Sequence, residues 1–252
     1  MKPTFLHHDR PLLTTMIQAT NNERVLELMR LGAEDGTDAF GIQFCRLPAE
    51  CRTEEQLRKI FAAAGDKPVY ATDYRNHQDK SATYDELAGN LLTLARCGAT
   101  LCDVMADYYD PQPCGQSNDP AAVAKQKELA KALHAEGAEV LFSAHLLDRF
   151  HDADEVVTLA LQQQERGADI VKIVNQSADM AQQIENLRIA TLLKEKLDVP
   201  YLYLAVGSCN ILRRIGGQLG CCMYLCVQQR DEFATAAQPI LKNVLEIQRN
   251  FI

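Results

Sequence analysis

Two ionisable residues sit inside apolar runs: Lys172 in ADIVKIVN and His145 in EVLFSAHLL. Lysine is almost never fully buried unless it is paired or used. The flanks of Lys172, namely Ile170, Val171, Ile173 and Val174, mark the centre of a buried strand, so its amine is a candidate for chemistry. The run from Asp152 to Gly167 between the two residues is helical in pattern, so 140–175 reads as strand, helix, strand. Consecutive strands of such a parallel unit usually lie side by side, which predicts that His145 and Lys172 meet at one end of a sheet. Burial disfavours the ammonium form, and a neutral amine attacks a ketone to give an imine. The iminium draws electrons from the adjacent carbon, a base such as His145 removes a proton there, and a β-hydroxyl leaves as water. With a carbon leaving group the same start ends in aldol cleavage, and these residues alone leave both outcomes open. The bland alternative is a lysine neutralised by a core carboxylate such as Asp169.

Strands and helices alternate along the chain around this pair. PLLTTMIQ (Pro11 to Gln18), AFGIQF (Ala39 to Phe44), KPVYATDY, LCDVMADYY, the His145 and Lys172 strands, PYLYLAVGS and CCMYLCVQQ are the predicted strands. Asn21 or Asn22 caps the first predicted helix, Thr53 the second, and Thr83 the third with Glu86 as a capping-box partner. Four helices end on a shared punctuation, Gly32-Ala33, Gly98-Ala99, Gly137-Ala138 and Gly167-Ala168, read as glycine at the C′ position. Eight βα units in 252 residues imply a single (β/α)8 barrel domain over residues 1–252. The glycine-rich turn of a doubly wound nucleotide-binding sheet is absent. In a barrel the active site lies at the C-terminal ends of the strands.

A net charge of −8 argues against a nucleic-acid or anionic-membrane partner. No apolar run approaches the roughly 18 residues of a spanning helix, and MKPTFLHHDR lacks the apolar core of a signal peptide. Nine cysteines without a C-x-x-C pair fit reduced thiols in the cytoplasm. No metal or nucleotide cofactor is called for: the histidines lack ligand spacing, and an imine is its own electron sink.

The strings SAH (Ser143 to His145), GADIVKI (Gly167 to Ile173) and ILRRIGGQLG, in this order and spacing, resemble the type I 3-dehydroquinate dehydratases. These are barrel enzymes of the shikimate route, which feeds aromatic amino acid biosynthesis, and they work through a Schiff base. The resemblance spans the whole chain in strand order. It implies a hydro-lyase with Lys172 as the imine-forming lysine and His145 as the general acid/base. It implies substrate-binding roles for Arg214 in RRIGG, with Arg213 as the neighbour open to confusion, and for Arg75 in TDYR, Thr235 in ATAAQP and Gln238. It also implies a small-molecule substrate and a homodimer.

Two departures stand out. Where the family has Glu-x-Arg on the second strand, facing substrate, this chain has Gln43-Phe44-Cys45; strand alternation puts Gln43 and Cys45 on one face and sends Arg46 elsewhere. Where the family has Asp-x-Glu on the fourth strand, with the glutamate orienting the histidine, this chain has Asp103-Val104-Met105. Met105 cannot accept the imidazole proton, which leaves Asp103 to do so at longer reach. These losses keep two other functions in view: a class I aldolase-type lyase using the same lysine, and a catalytically weak sensor or interaction barrel. The Asp110 to Pro120 loop, at the expected active-site end, has the length of a lid or a contact surface.

Overall fold

The protein is represented by a computed structural model that describes residues 3–251; Met1, Lys2 and Ile252, at the ends of the expected domain, lie outside the described residues. Among the described residues the chain alternates β1 (Leu12–Ile17), α1 (Asn22–Glu34), β2 (Ala39–Gln43), α2 (Glu54–Ala63), β3 (Val69–Thr72), α3 (Tyr84–Cys97), β4 (Leu101–Met105), α4 (Pro120–Ala135), β5 (Glu139–His145), α5 (Ala153–Glu165), β6 (Ile170–Gln176), α6 (Met180–Lys196), β7 (Tyr201–Val206), α7 (Leu212–Ile215), β8 (Met223–Cys226) and α8 (Leu241–Arg249). The strands form one parallel sheet in the order β7-β6-β5-β4-β3-β2-β1-β8. At the seam the Cys222 N–H donates to the Tyr201 carbonyl at 2.9 Å, and the Leu12 N–H donates to the Cys222 carbonyl at 3.0 Å. The sheet thus closes almost completely into the expected (β/α)8 barrel.

Covering helices bury the outer face of the sheet and the barrel interior buries the inner one, so the strands read as near-continuous apolar runs. All six residues of β1 are buried. Helix starts follow the sequence: Asn21 accepts from Arg24 N, Thr53 from Gln56 N, and Thr83 and Glu86 complete the capping box. Each such cap is worth about 1 kcal/mol.

The Gly-Ala punctuation holds at three of the four places. Gly98, Gly137 and Gly167 have positive φ, but Gly32 lies inside α1 and Gly36, at φ +89°, takes the turn instead. Gly32 is needed for space: a Cβ there would meet Thr15 Oγ1 at 3.2 Å and the Phe40 ring at 3.3 Å, where the helix presses on the sheet.

Candidate active site

β5 and β6 pair in parallel with Ser143 opposite Lys172 and His145 opposite Val174. Alternation then turns Ser143, His145, Lys172 and Val174 inward together. Lys172, His145, Gln43, Thr235 and Gln238 all line one cavity of about 230 Å³, in which Arg213, Tyr70 and Tyr74 also take part. His145 and Gln43 stand at the C-terminal ends of their strands, which places the cavity at the barrel end where such sites lie.

Lys172 is 4% exposed. Its Nζ donates to Tyr70 OH at 2.9 Å, to Tyr74 OH at 3.0 Å and to Asp103 Oδ2 at 3.1 Å. Tyr70 and Tyr74 hydroxyls both donate onward to Asp103 Oδ2, the latter at 2.6 Å, while Ser143 Oγ donates to Oδ1 at 2.5 Å. Burial opposes ionisation of Asp103, but the Lys172 charge and these hydrogen bonds outweigh it and hold the carboxyl below its usual value. The same burial, with the Asp103 charge, pushes both tyrosines well above the normal phenol range. Asp169 is not the lysine's partner. It sits before β6, where its Oδ2 accepts from Val140 N at 2.8 Å and faces His134 Nε2 at 2.8 Å.

Asp103 does not orient His145, because its two oxygens are taken by Lys172, the tyrosines and Ser143. Among the described residues no hydrogen bond holds the His145 ring; its neighbour is the Tyr74 ring, edge-on with centroids 5.9 Å apart. Burial foremost, then the charges of Lys172 and Arg213, push the imidazole down to about 3 against the opposing pull of Asp103. It is therefore neutral, with a lone pair to offer.

Two expected arginines fall elsewhere. Arg75 is exposed, donates from Nε to the Ala82 carbonyl at 3.0 Å and stacks over Tyr84. Tyr70 and Thr72 of β3 line the cavity, and Tyr74, two residues past the strand's end, lines it with them, whereas Arg75, one further on, does not. Arg214 donates to Asn210 Oδ1 at 2.7 Å and does not line the cavity; Arg213 does, 7% exposed, with Nε fixed on the Ala205 carbonyl at 2.7 Å. Burial foremost, then Arg214, pulls the Arg213 guanidinium down to about 10. On β2 the strand stops at Gln43 and a 3-10 turn, Phe44–Arg46, replaces the expected alternation. Cys45 is fully buried, and Arg46 donates to Gln18 Oε1 at 3.1 Å and lies over the Phe233 ring.

Nor is the Asp110 to Pro120 loop free to act as a lid in this arrangement. Arg166, buried at its base, donates to the Ser117 carbonyl at 2.5 Å and to the Ala106 carbonyl at 3.0 Å. Gly115, at φ +64°, lies so close to β5 that a Cβ would meet His145 N at 2.7 Å.

A family model described as type I 3-dehydroquinase matches residues 14–247. The chain belongs to that family. A 3-dehydroquinate dehydratase from Alkaliphilus oremlandii (strain OhILAs) is 30% identical over 94 residues, a match spanning 37% of this chain and 37% of that protein. The 3-dehydroquinate dehydratase of Geobacillus kaustophilus HTA426 superposes with a TM-score of 0.81 at 15% identity, over 96% of this chain and 93% of the other. The type I 3-dehydroquinate dehydratase of Clostridium difficile, solved with covalently modified comenic acid, gives 0.81 at 16% identity over 100% of both chains. At such identities the two structures speak for the fold alone. In this member of the family a histidine and a lysine stand on neighbouring strands, and an arginine that lines the cavity follows β7. It surrounds the lysine with two tyrosines and an aspartate.

No helix among the described residues is long and apolar enough to cross a membrane, and no group of three or more His, Cys, Asp or Glu among them is placed to hold a metal ion.

Proposed function

We propose that the protein is a lysine Schiff-base hydro-lyase that dehydrates 3-dehydroquinate, or a closely related hydroxy-ketone acid, to the conjugated enone. The observation that carries this reading is the Lys172 amine, held almost dry in one cavity with His145 and Arg213, in a chain of the type I 3-dehydroquinase family.

The substrate carboxylate pairs with the two terminal nitrogens of Arg213, since Nε is already committed to Ala205. The ketone carbon then meets Lys172 Nζ. Loss of water from the carbinolamine leaves an iminium, which acidifies the neighbouring C–H. His145 takes that proton, the electron pair flows into the iminium, and return of the pair expels the β-hydroxyl, protonated by the same imidazole, as water. Hydrolysis releases the enone and the free lysine. A carboxylate on Arg213 cancels one of the charges that depress His145, so binding of the acid itself makes the imidazole a stronger base. Gln43, Thr235 and Gln238 stand around the same cavity as neutral groups for substrate hydroxyls.

We place the enzyme in the cytoplasm, supported by nine free cysteines, and take it to act as a homodimer on the strength of the family resemblance. The test is incubation with 3-dehydroquinate and borohydride, followed by peptide mass analysis, alongside the ultraviolet absorbance of the enone. A reduced adduct on Lys172, absent from Lys172→Ala, together with enone formation, is the expected result. An adduct without enone selects the second reading, an aldolase-type lyase on another hydroxy-ketone, which the unheld ring of His145 favours. No adduct and no enone leaves the weakly catalytic barrel.

A further inference from the structure

Two separate proton devices face the cavity. The first is a closed network in which all three N–H bonds of the Lys172 ammonium end on oxygens, those of Tyr70, Tyr74 and Asp103. The hydroxyls of both tyrosines in turn donate hydrogen bonds to Asp103. The second is the His145 ring, joined to this network by no hydrogen bond among the described residues and packed edge-on against the Tyr74 ring. An ammonium with every N–H occupied is not a nucleophile. It must hand a proton to this network before it can attack, and the network must return a proton before the carbinolamine can lose water.

Members of the network differ in access. Asp103 and Tyr70 are 0% exposed, whereas Tyr74 is only partly buried; both tyrosines line the cavity. Both tyrosines touch the amine and the carboxylate, and Tyr74 is the one of the two that keeps exposed surface, which makes it the more accessible to substrate.

We propose that Tyr74, backed by Asp103, is the catalytic acid and base for making and breaking the imine at Lys172, and that His145 serves only the carbon-bound proton and the leaving hydroxyl. The inference rests on the imine reading above and assigns its first and last steps. The ammonium proton passes to Asp103 as the N–C bond forms. The ketone oxygen takes up the second proton of nitrogen and becomes the carbinolamine hydroxyl. Tyr74 protonates that hydroxyl and is reprotonated by Asp103, the C–O bond breaks, and water leaves. The cation has moved from the ammonium to the iminium, and Asp103 is a carboxylate again. Tyr70 and Ser143 are positioning residues that fix the carboxylate. Hydrolysis at the end runs the same transfers in reverse.

The experiment mixes enzyme with 3-dehydroquinate, quenches at timed intervals into borohydride, and counts adduct by mass. It is run beside steady-state enone formation from substrate deuterated at the carbon that loses its proton. Tyr74→Phe is expected to slow adduct formation by on the order of a hundredfold and to suppress the deuterium isotope effect, because imine formation becomes the slow step. His145→Gln is expected to trap adduct at a rate near wild type while losing the enone. Equal trapping rates in Tyr74→Phe and wild type, or an equal slowing in His145→Gln, overturn the assignment. Should Tyr74→Phe not fold, 3-fluorotyrosine at position 74 keeps ring and hydroxyl but makes the phenol more acidic. A several-fold change in trapping rate supports the proposal, and an unchanged rate refutes it. A wild-type protein that traps nothing under any condition overturns the imine reading itself, a result distinct from all of these.

Discussion

Arg213 is pinned to Ala205: its Nε donates to that backbone carbonyl at 2.7 Å, and the other N–H groups of its guanidinium make no hydrogen bond among the described residues. A buried guanidinium fixed by one corner, with its remaining fork aimed at a cavity, is built to take a carboxylate bidentately. Arg214, by contrast, is occupied with Asn210. Arg213→Lys should therefore raise KM for an acidic substrate and lower kcat/KM by roughly 10- to 100-fold, the loss of one or two charge-assisted hydrogen bonds. Arg214→Lys should change kcat/KM less than about threefold. Steady-state kinetics on both variants checks this, and a larger effect at Arg214 would put the anion site on the wrong residue.

The confusion between these two arginines shows where the sequence runs out. The Lys172 and His145 strands, the barrel and the helix caps of Asn21, Thr53 and Thr83 were legible, because each rests on local periodicity or on one side chain near its own backbone. Position around α7 was not, because a four-residue helix carries no periodicity to say which of two adjacent arginines faces inward. Tyr74 carries a usable signal in the alternation from Tyr70 through Thr72, whereas the family resemblance points to the neighbouring Arg75. The 3-10 turn at Phe44–Arg46 had none, since a strand's end is set by what packs over it.

The Lys172–Asp103 pair also bears on stability. Removing one partner of a buried ion pair strands the other's charge, at a cost of about 3–5 kcal/mol. Lys172→Met should destabilise the fold by that order at pH 8, and less as the pH falls and Asp103 takes up a proton. Lys172→Met combined with Asp103→Asn should regain much of the loss. Urea unfolding of the single and double variants at two pH values measures this; a single variant as stable as wild type would mean that the pair is solvated.

Gly115 should be intolerant of change. Its positive φ and the 2.7 Å approach of a virtual Cβ to His145 N leave room neither for a side chain nor for relaxation of the backbone. Gly115→Ala is expected to push the end of β5 and to lower kcat by at least about tenfold through misplacement of the imidazole, with little change in KM. Kinetics against an Arg213 control separates displacement of the base from loss of binding.

Met105→Glu tests how much the unheld imidazole limits the rate. Met105 is partly buried on β4, paired in register with Ser143, and shares its inward face with Asp103. A carboxylate there gives the His145 ring an acceptor and a nearby negative charge, both of which raise its basicity. Dehydratase turnover is expected to rise or stay level, and the acid limb of its pH profile to move upward. A sharp fall in rate would show that the ring is oriented by something other than a β4 carboxylate.

Asp73 makes the fold lose stability as pH rises from about 4 to about 7. Burial foremost, then the Asp79 charge, raises its carboxyl to about 7, against Asn90, which donates to Oδ2 at 2.8 Å, and Arg52, which stands 3.5 Å from Oδ1. In the unfolded chain the same group titrates near 3.8. Between those values the folded state holds a proton that the unfolded state has lost, so this contribution is complete below about pH 4 and disappears as pH rises through 7. His145 works in the opposite sense: lowered to about 3, it supplies stability that is complete above 6.5 and lost as pH falls. The two slopes cancel in part between pH 4 and 6.5, so the wild-type curve alone hides them. The difference between Asp73→Asn and wild type isolates the first. That variant should gain on the order of 1–3 kcal/mol at pH 8 relative to its standing at pH 4, because an amide keeps the Asn90 bond without a charge to bury. A pH-independent difference would mean that Asp73 is ionised in the fold and that Arg52 neutralises it.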